Sequence, residues 1–415
     1  MGTFVSTGSN EANLMKIKYG KLIEKQFNMD NVILGRIKKN KKFVGKQIDI
    51  PVIQSIGGGV SSGTLPTANT SKISKAILNS PKKLYAVTSI DRESMQASKT
   101  DEGAFVRMTK FPVQMAVKAF NRNITRQILN GAIDGQGTLL TWATGNTAAA
   151  GAKVYFDKSD TYDQSLFEAI EVGDLLDVID SDGSTVNTAD AEVVDVVIIQ
   201  DDDGYAGSGS YIEFASAPTT VANGDYLVMQ NSNGAEIEGI KGVLAATSGS
   251  YKGIAVGRRW QSYQKAAGGQ ALSTDLLNEL VIKVKKQCGE SPDLLLMAHH
   301  QLIKLLNLLE DAKRYNLPAR DKRFKGTVSF SGVEFMSADG AIPCVADRFM
   351  DNGAIYALNT KHIELHQRPS GMEWFADDGT VFLRESTDSY EARYGGYAEL
   401  FVNPHFQGQL TGLGR

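Results

Sequence analysis

Residues 150–240 carry 19 acidic side chains against 2 basic ones, whereas residues 1–149 carry 9 against 21 and residues 241–415 carry 19 against 21. A single core has no reason to sort charge by chain position. A block at −17 between neighbours at +12 and +2 therefore reads as an acidic domain spliced into a basic-to-neutral host. The overall charge of −3 conceals this division and says little about partners.

The acidic block has the texture of an all-β module. VYFD, VGDLLDVID, AEVVDVVII, SYIEFAS and GDYLVMQ are β-branched or aromatic runs separated by turn clusters such as SDGS, DDDG and ANGD. Five or more short strands in so short a stretch predict a small barrel or sandwich. Gly-Asp pairs at 173–174 and 224–225 each open a strand, a faint internal echo.

The flanking host reads as a mixture of helices and strands. An N-terminal arm over residues 1–40 is expected to hold an amphipathic helix, with Leu14, Ile17, Leu22 and Phe27 among lysines. Residues 42–52 alternate as a strand, and residues 82–90 form a second β-leaning run. Between them lies a Gly/Ser/Thr-rich tip with Gly57, Gly58, Gly59, Gly63, Lys72 and Lys75. The expectation is an extended hairpin loop over 41–91. A two-stranded ribbon is marginal in water, so it needs another surface to lie on. Residues 101–131 carry Ala116, Phe120, Ile124 and Ile128 every four residues and end at Gly131. They predict a long helix, with about 27 Å between Val113 and Asn130 at about 1.5 Å per residue. Lys118, Arg122 and Arg126 recur at the same spacing as a basic stripe, facing either solvent and a neighbouring subunit or a polyanion whose phosphates need no base-reading motif. Further on, a helix is expected over 274–287, a buried strand in SPDLLLMAHH, a helix from about His300, β structure over 328–367, and a pairing of EWFADDGTVFLRE, whose Asp378-Gly379 is a hairpin turn signal, with YEARYGGYAELFVNP.

Chemistry-bearing patterns are sparse. His299, His300, His362, His366 and His405 form no metal motif, since KHIELHQ is β-like. The glycine run at 57–63 lacks the spacing and the following helix of a phosphate loop. There is no Gly-x-Ser-x-Gly elbow. Cys288 and Cys344 have no nucleophile motif around them and read as small apolar groups of a reducing compartment. Asp180, Asp182 and Asp201 to Asp203 do not match a calcium loop. Catalytic and metal sites are therefore expected to be absent, and no cofactor is expected. No apolar run approaches the ~18 residues of a membrane span, and the N-terminus lacks a basic-then-apolar leader, so no membrane partner is expected and a cytoplasmic site of synthesis is.

The order of parts resembles the major capsid proteins of tailed bacteriophages, the Hong Kong phage-type capsid fold shared with encapsulins. The resemblance rests on the arm, the glycine-tipped hairpin, the long helix, PDLLLMAHHQLIKLLNLL, SGVEFMSADGAIPCVADRFMDNGAIYALNTKHIEL and the close YEARYGGYAELFVNP. It covers most of residues 10–149 and 241–415. It implies an α+β fold with an N-arm (1–40), an extended loop (41–91), a peripheral domain built on a spine helix (92–149, 241–289 and 371–415) and an axial domain (290–370). The acidic β domain at 150–240 is then an insertion. The implied function is a non-enzymatic shell subunit of a virion, forming homo-oligomeric hexamers and pentamers around packaged double-stranded DNA. A separate scaffolding protein and a portal are implied partners, and Lys72 and Lys75 are positional candidates for a cross-linking loop lysine. An encapsulin-like cargo shell and, in a different class, a carbohydrate-active enzyme with an acidic β binding module are the alternatives.

Overall fold

In a computed structural model the described residues are 32–55, 72–79, 81–91, 102–137, 139–141, 153–155, 169–198, 210–219, 222, 224–312, 333–337, 340–375, 382–383 and 389–414. The expected arm helix, the glycines at 57, 58, 59 and 63, Asp201 to Asp203 and the Asp378-Gly379 turn lie outside them. The fold is α+β, and the chain divides into two units: residues 1–44, 81–126 and 365–399, and residues 45–80, 127–364 and 400–415.

The first unit is built on β21 (Ser389–Val402), against which β4 (Lys82–Asp91) pairs antiparallel from Ser389↔Asp91 to Ala398↔Lys82. The sheet runs β1 (Lys38–Asn40), β18 (Ile363–Gln367), β21, β19 (Glu373–Trp374), and β20 (Phe382–Leu383) also pairs β21. The expected pairing of EWFADDGTVFLRE with YEARYGGYAELFVNP is present: β19 and β20, on either side of Asp378-Gly379, each add antiparallel to β21, which is long enough to take both. One face of this sheet is closed by a long helix, α2 (Glu102–Asn130), which follows the short α1 (Val32–Arg36). Phe120 meets Tyr394 edge-on with ring centroids 5.0 Å apart, a favoured aromatic geometry.

The second unit contains the acidic stretch as one six-stranded sheet. Its order is β5 (Leu140–Thr141), β10 (Tyr226–Met229), β7 (Leu175–Ile179), β8 (Val186–Val197), β9 (Tyr211–Phe214), β6 (Lys153–Tyr155). Leu176, Val178, Val193, Ile212, Phe214 and Leu227 form its core. Gly173 and Gly224, the paired glycines of the echo, both adopt left-handed φ values near +90°, where a side chain is strained. The expected strands are present as a continuous strand order, and no pairing joins β5 to β6 among the described residues.

A second six-stranded sheet, with the order β13 (Tyr263–Ala266), β22 (Gly408–Thr411), β17 (Ile355–Leu358), β14 (Leu294–Met297), β16 (Gly340–Ala346), β15 (Val333–Ser337), holds the other core. Central β14 is buried at all four residues and pairs β16 parallel and β17 antiparallel. Helix α4 (Thr274–Cys288) packs here, after the short α3 (Ile240–Ala245). Leu277, Leu280, Val281 and Val284 follow helical spacing, and their burial is worth roughly 1.5–3 kcal/mol each. The Ser273 side chain caps its N-terminus by accepting from the Leu276 N–H, and left-handed Gly289 ends it. Helix α5 (His299–Ala312) follows β14.

Candidate assembly surfaces

The extended hairpin is real but shorter than expected. Strand β2 (Gln47–Ser55) pairs antiparallel with β3 (Lys72–Asn79), from Gln47↔Asn79 to Ser55↔Lys72 with a bulge after Ile53. The expected partner, 82–90, instead joins the first unit's sheet as β4. Its alternation of Leu84, Ala86 and Thr88 suits a half-buried strand. The β2–β3 ribbon is a two-stranded sheet of its own. Pro51, which can donate no ladder bond, is tolerated because both strands are edges. The cross-strand pair Ile53–Ile73 is exposed on both sides. Lys72 and Lys75 are exposed as well; Lys75 lies 3.5 Å from Asp49, whose carboxyl is held below the usual range first by the Gln47 amide and then by that lysine.

What holds the base of the ribbon was not visible in the sequence reading. A tight turn between β11 (Ser250–Tyr251) and β12 (Ile254–Ala255) places Lys252 and Gly253 at positive φ, the backbone of a two-residue hairpin turn. The Ile77 N–H donates to the Lys252 carbonyl at 2.8 Å, and a Cβ on Gly253 would stand 3.4 Å from the Ile77 side chain. The turn is itself braced. Lys252 Nζ sits 3.0 Å from Glu238, the Trp260 indole N–H donates to the Tyr251 carbonyl, and the Tyr251 hydroxyl accepts from the Val402 N–H. The run Ser-Tyr-Lys-Gly-Ile carried the signal, a Gly-containing dipeptide between β-leaning residues.

The basic stripe does not persist along the spine helix. Lys118 is exposed and Arg122 half-buried, but Arg126 is only 1% exposed and donates through Nη2 to Asn123 at 2.8 Å. All six residues from Ile124 to Leu129 are buried, so that end of the helix has no outer face. Arg126 is thus corrected from a DNA- or neighbour-facing side chain to a buried one.

The histidines are dispersed. His362 stacks on Phe406 at 3.7 Å and meets Glu290 Oε2 at 3.2 Å, whereas His405 faces Gln287. Among the described residues no group of three or more His, Cys, Asp or Glu could hold a metal ion. Burial pushes the Cys344 thiol up to about 12 and raises Cys288 as well, the opposite direction from that of an activated thiol. No helix among the described residues is long and apolar enough to cross a membrane.

Residues 219–374, from just before the last strand of the acidic sheet to β19, match the family model described as SU10 major capsid protein. No curated protein matches the sequence. Among solved structures, the cyanophage A-1(L) capsid asymmetric unit superposes with a TM-score of 0.52 at 12% identity, covering 93% of this chain and 94% of that one. The capsid of Myoviridae phage XM1 gives 0.43 at 12% identity, with 92% and 91% covered. The capsid of the native GTA particle gives 0.44 at 10%, with 92% and 90% covered. The match of residues 219–374 to a capsid family model and the fold shared with the cyanophage A-1(L) capsid along nearly the whole chain agree with the hairpin and the spine helix: the chain has the fold of a tailed-phage capsid protein, and its core stretch is similar in sequence to one family of them.

Proposed function

We propose that copies of this chain assemble as hexamers and pentamers into the icosahedral shell that encloses a double-stranded DNA genome. Assembly takes place in the host bacterial cytoplasm, with a separate scaffolding protein and a portal. The observation that carries this reading is the β2–β3 ribbon. It forms a two-stranded sheet with an exposed Ile53–Ile73 pair, and such a ribbon gains stability only against a further surface. A neighbouring copy supplies that surface in a shell.

In this reading residues 1–40 are an arm reaching along a neighbour, and the extended loop is 41–79, with β4 assigned to the peripheral domain. Residues 92–149, 241–289 and 371–415 complete that domain, and 290–370 form the axial one. The acidic 150–240 stretch is an inserted domain facing solvent or neighbours. Lys118 is the fully exposed member of the stripe and Arg122 is half-buried, and a contact of Lys118 with phosphates is non-specific and weakened by salt. Lys72 and Lys75 lie at the inter-subunit end of the ribbon.

Sedimentation and negative-stain imaging of the expressed chain test the reading, with closed shells as the expected result. A chain that stays monomeric at high concentration, with its 47–79 ribbon unprotected, would sink it. Particles holding enzyme cargo and no genome-length DNA would favour the cargo-shell alternative.

A further inference from the structure

The first unit's sheet has a face that α2 does not cover. On it Tyr85 and Val87 are 49% and 55% exposed, with Tyr85 packed against Phe375 at 5.7 Å. Cations border them. Lys83 lies across from Tyr397, the Arg368 guanidinium stands 4.8 Å over the Tyr397 ring, and Arg393 lies across from Val87. Two acids share the face: Glu391, ion-paired to Arg393, and exposed Glu373, which pairs with Gly395 opposite Tyr85. An apolar centre rich in tyrosine and arginine, with three cations against two acids around it, is the make-up of a protein-binding surface, since phosphates alone would not reward an exposed valine.

Such a face fits an apolar patch rimmed by acids. Among the described residues several other exposed apolar sites have the wrong sign: Ile53 and Ile73 lie beside Lys72 and Lys75, Ile282 beside Lys283 and Lys286, and Val44 beside Lys41 and Lys42, while Met336 has one acid, Glu334, on its strand face. The acidic sheet differs. Val172 and Val194, 65% and 48% exposed, sit together, because the Gly173 N–H donates to Val193 and the Val193 N–H donates to Asp174. Around them lie Glu171, Asp174, Glu192 and Asp195.

We propose that in the assembled shell the Val172/Val194 patch of the acidic domain docks on the Tyr85/Val87 face of a second copy, with Glu192 and Asp195 meeting Lys83, Arg368 and Arg393. This rests on the shell reading and gives the insertion a task in it, a contact between copies in which like charges elsewhere on the surface disfavour other registers.

Val87 replaced by the photo-cross-linker p-benzoylphenylalanine reads the contact directly, since an exposed position tolerates the change. Full-length particles mixed from isotopically labelled and unlabelled chains are irradiated and mapped by mass spectrometry. The expected product joins position 87 of one chain to 169–198 of another. Cross-links to the 47–79 ribbon or to any other segment, or none, overturn the contact. Charge reversal gives a second readout. Lys83→Glu and Glu192→Lys are each expected to lower particle yield about threefold to tenfold, and the double reversal to restore it; singles without effect, or a double no better than the singles, count against it. Wild-type chains that form no particles sink the shell reading and this contact together, whereas wild-type particles lacking the cross-link sink the contact alone.

Discussion

The Gly239 N–H donates to the carbonyl of Gly131 at 3.1 Å, which fastens the exit from the acidic sheet to the end of the spine helix. Neither glycine is there for a left-handed backbone: Gly239 has φ −84°, and Gly131 is not at positive φ. Space decides both. A Cβ on Gly131 would stand 2.1 Å from the Ile237 carbonyl oxygen, and one on Gly239 would stand 2.3 Å from the Gln127 carbonyl oxygen. These are backbone atoms that cannot swing away. Gly131→Ala and Gly239→Ala are therefore each expected to destabilise the chain by about 1–3 kcal/mol, the cost of overpacking, read from denaturant midpoints. An alanine at 131 that leaves the midpoint unchanged would show that the joint is looser than its geometry.

The same joint fixes where the acidic domain can be removed. The Glu236 N–H donates to Gly135 at 3.1 Å, so the two connectors touch before the sheet begins. Replacing 138–234 with a linker of about three residues spans that gap and keeps Gly131, Gly137, Glu236, Ile237 and Gly239. The remaining chain is expected to keep its second six-stranded sheet and to unfold cooperatively. A deletion of 152–238 removes Ile237, whose N–H donates to the Gln127 side chain, and strips β5 of its partner β10. It is expected to be clearly less stable. Equal circular dichroism melts for the two deletions would contradict the role given to the joint.

Much of this architecture was legible because its signals are local. The four-residue recurrence of Phe120, Ile124 and Ile128 announced a helix that does run from Glu102 to Asn130. Ser273 and Gly289 bracket α4 because caps are read from single residues. Strand partners are non-local, and there the reading failed for the hairpin: β2 takes 72–79, and β4 leaves for β21. Arg126 shows the same limit at one side chain. Its spacing from Lys118 and Arg122 is regular, but which end of a helix is enclosed depends on chain segments far away in sequence. The Lys252-Gly253 turn left a faint trace, and nothing in it named Ile77 as its partner.

That turn sets the third expectation. Gly253 has φ +78°, where an L residue costs about 1–2 kcal/mol, and a Cβ there meets Ile77. Gly253→Val adds β-branching to both problems. The amide of Ile77, which donates to Lys252, is expected to exchange hydrogen markedly faster in this variant, while the Leu294–Met297 amides keep their protection. Unchanged exchange at Ile77 would mean that the ribbon is held elsewhere.

Glu290 gathers two donors on one oxygen, the Asn359 amide at 3.0 Å and His362 Nε2 at 3.2 Å. The His362 bond is the larger cause and the Asn359 bond the second of a carboxyl held below its ordinary value of 4.5. A depressed folded-state value means that the carboxylate's stabilisation is complete above 4.5 and is lost as pH falls through the lower folded value. Because Glu290 is about half exposed, solvent screens the effect and keeps it modest. Melting temperatures followed from about pH 6 to about pH 3 should therefore fall more steeply for the wild type than for Glu290→Gln, whose amide does not titrate. The difference should be largest near the acid end and vanish if His362 and Asn359 are replaced together. Parallel curves for wild type and Glu290→Gln would remove Glu290 from the acid response of the chain.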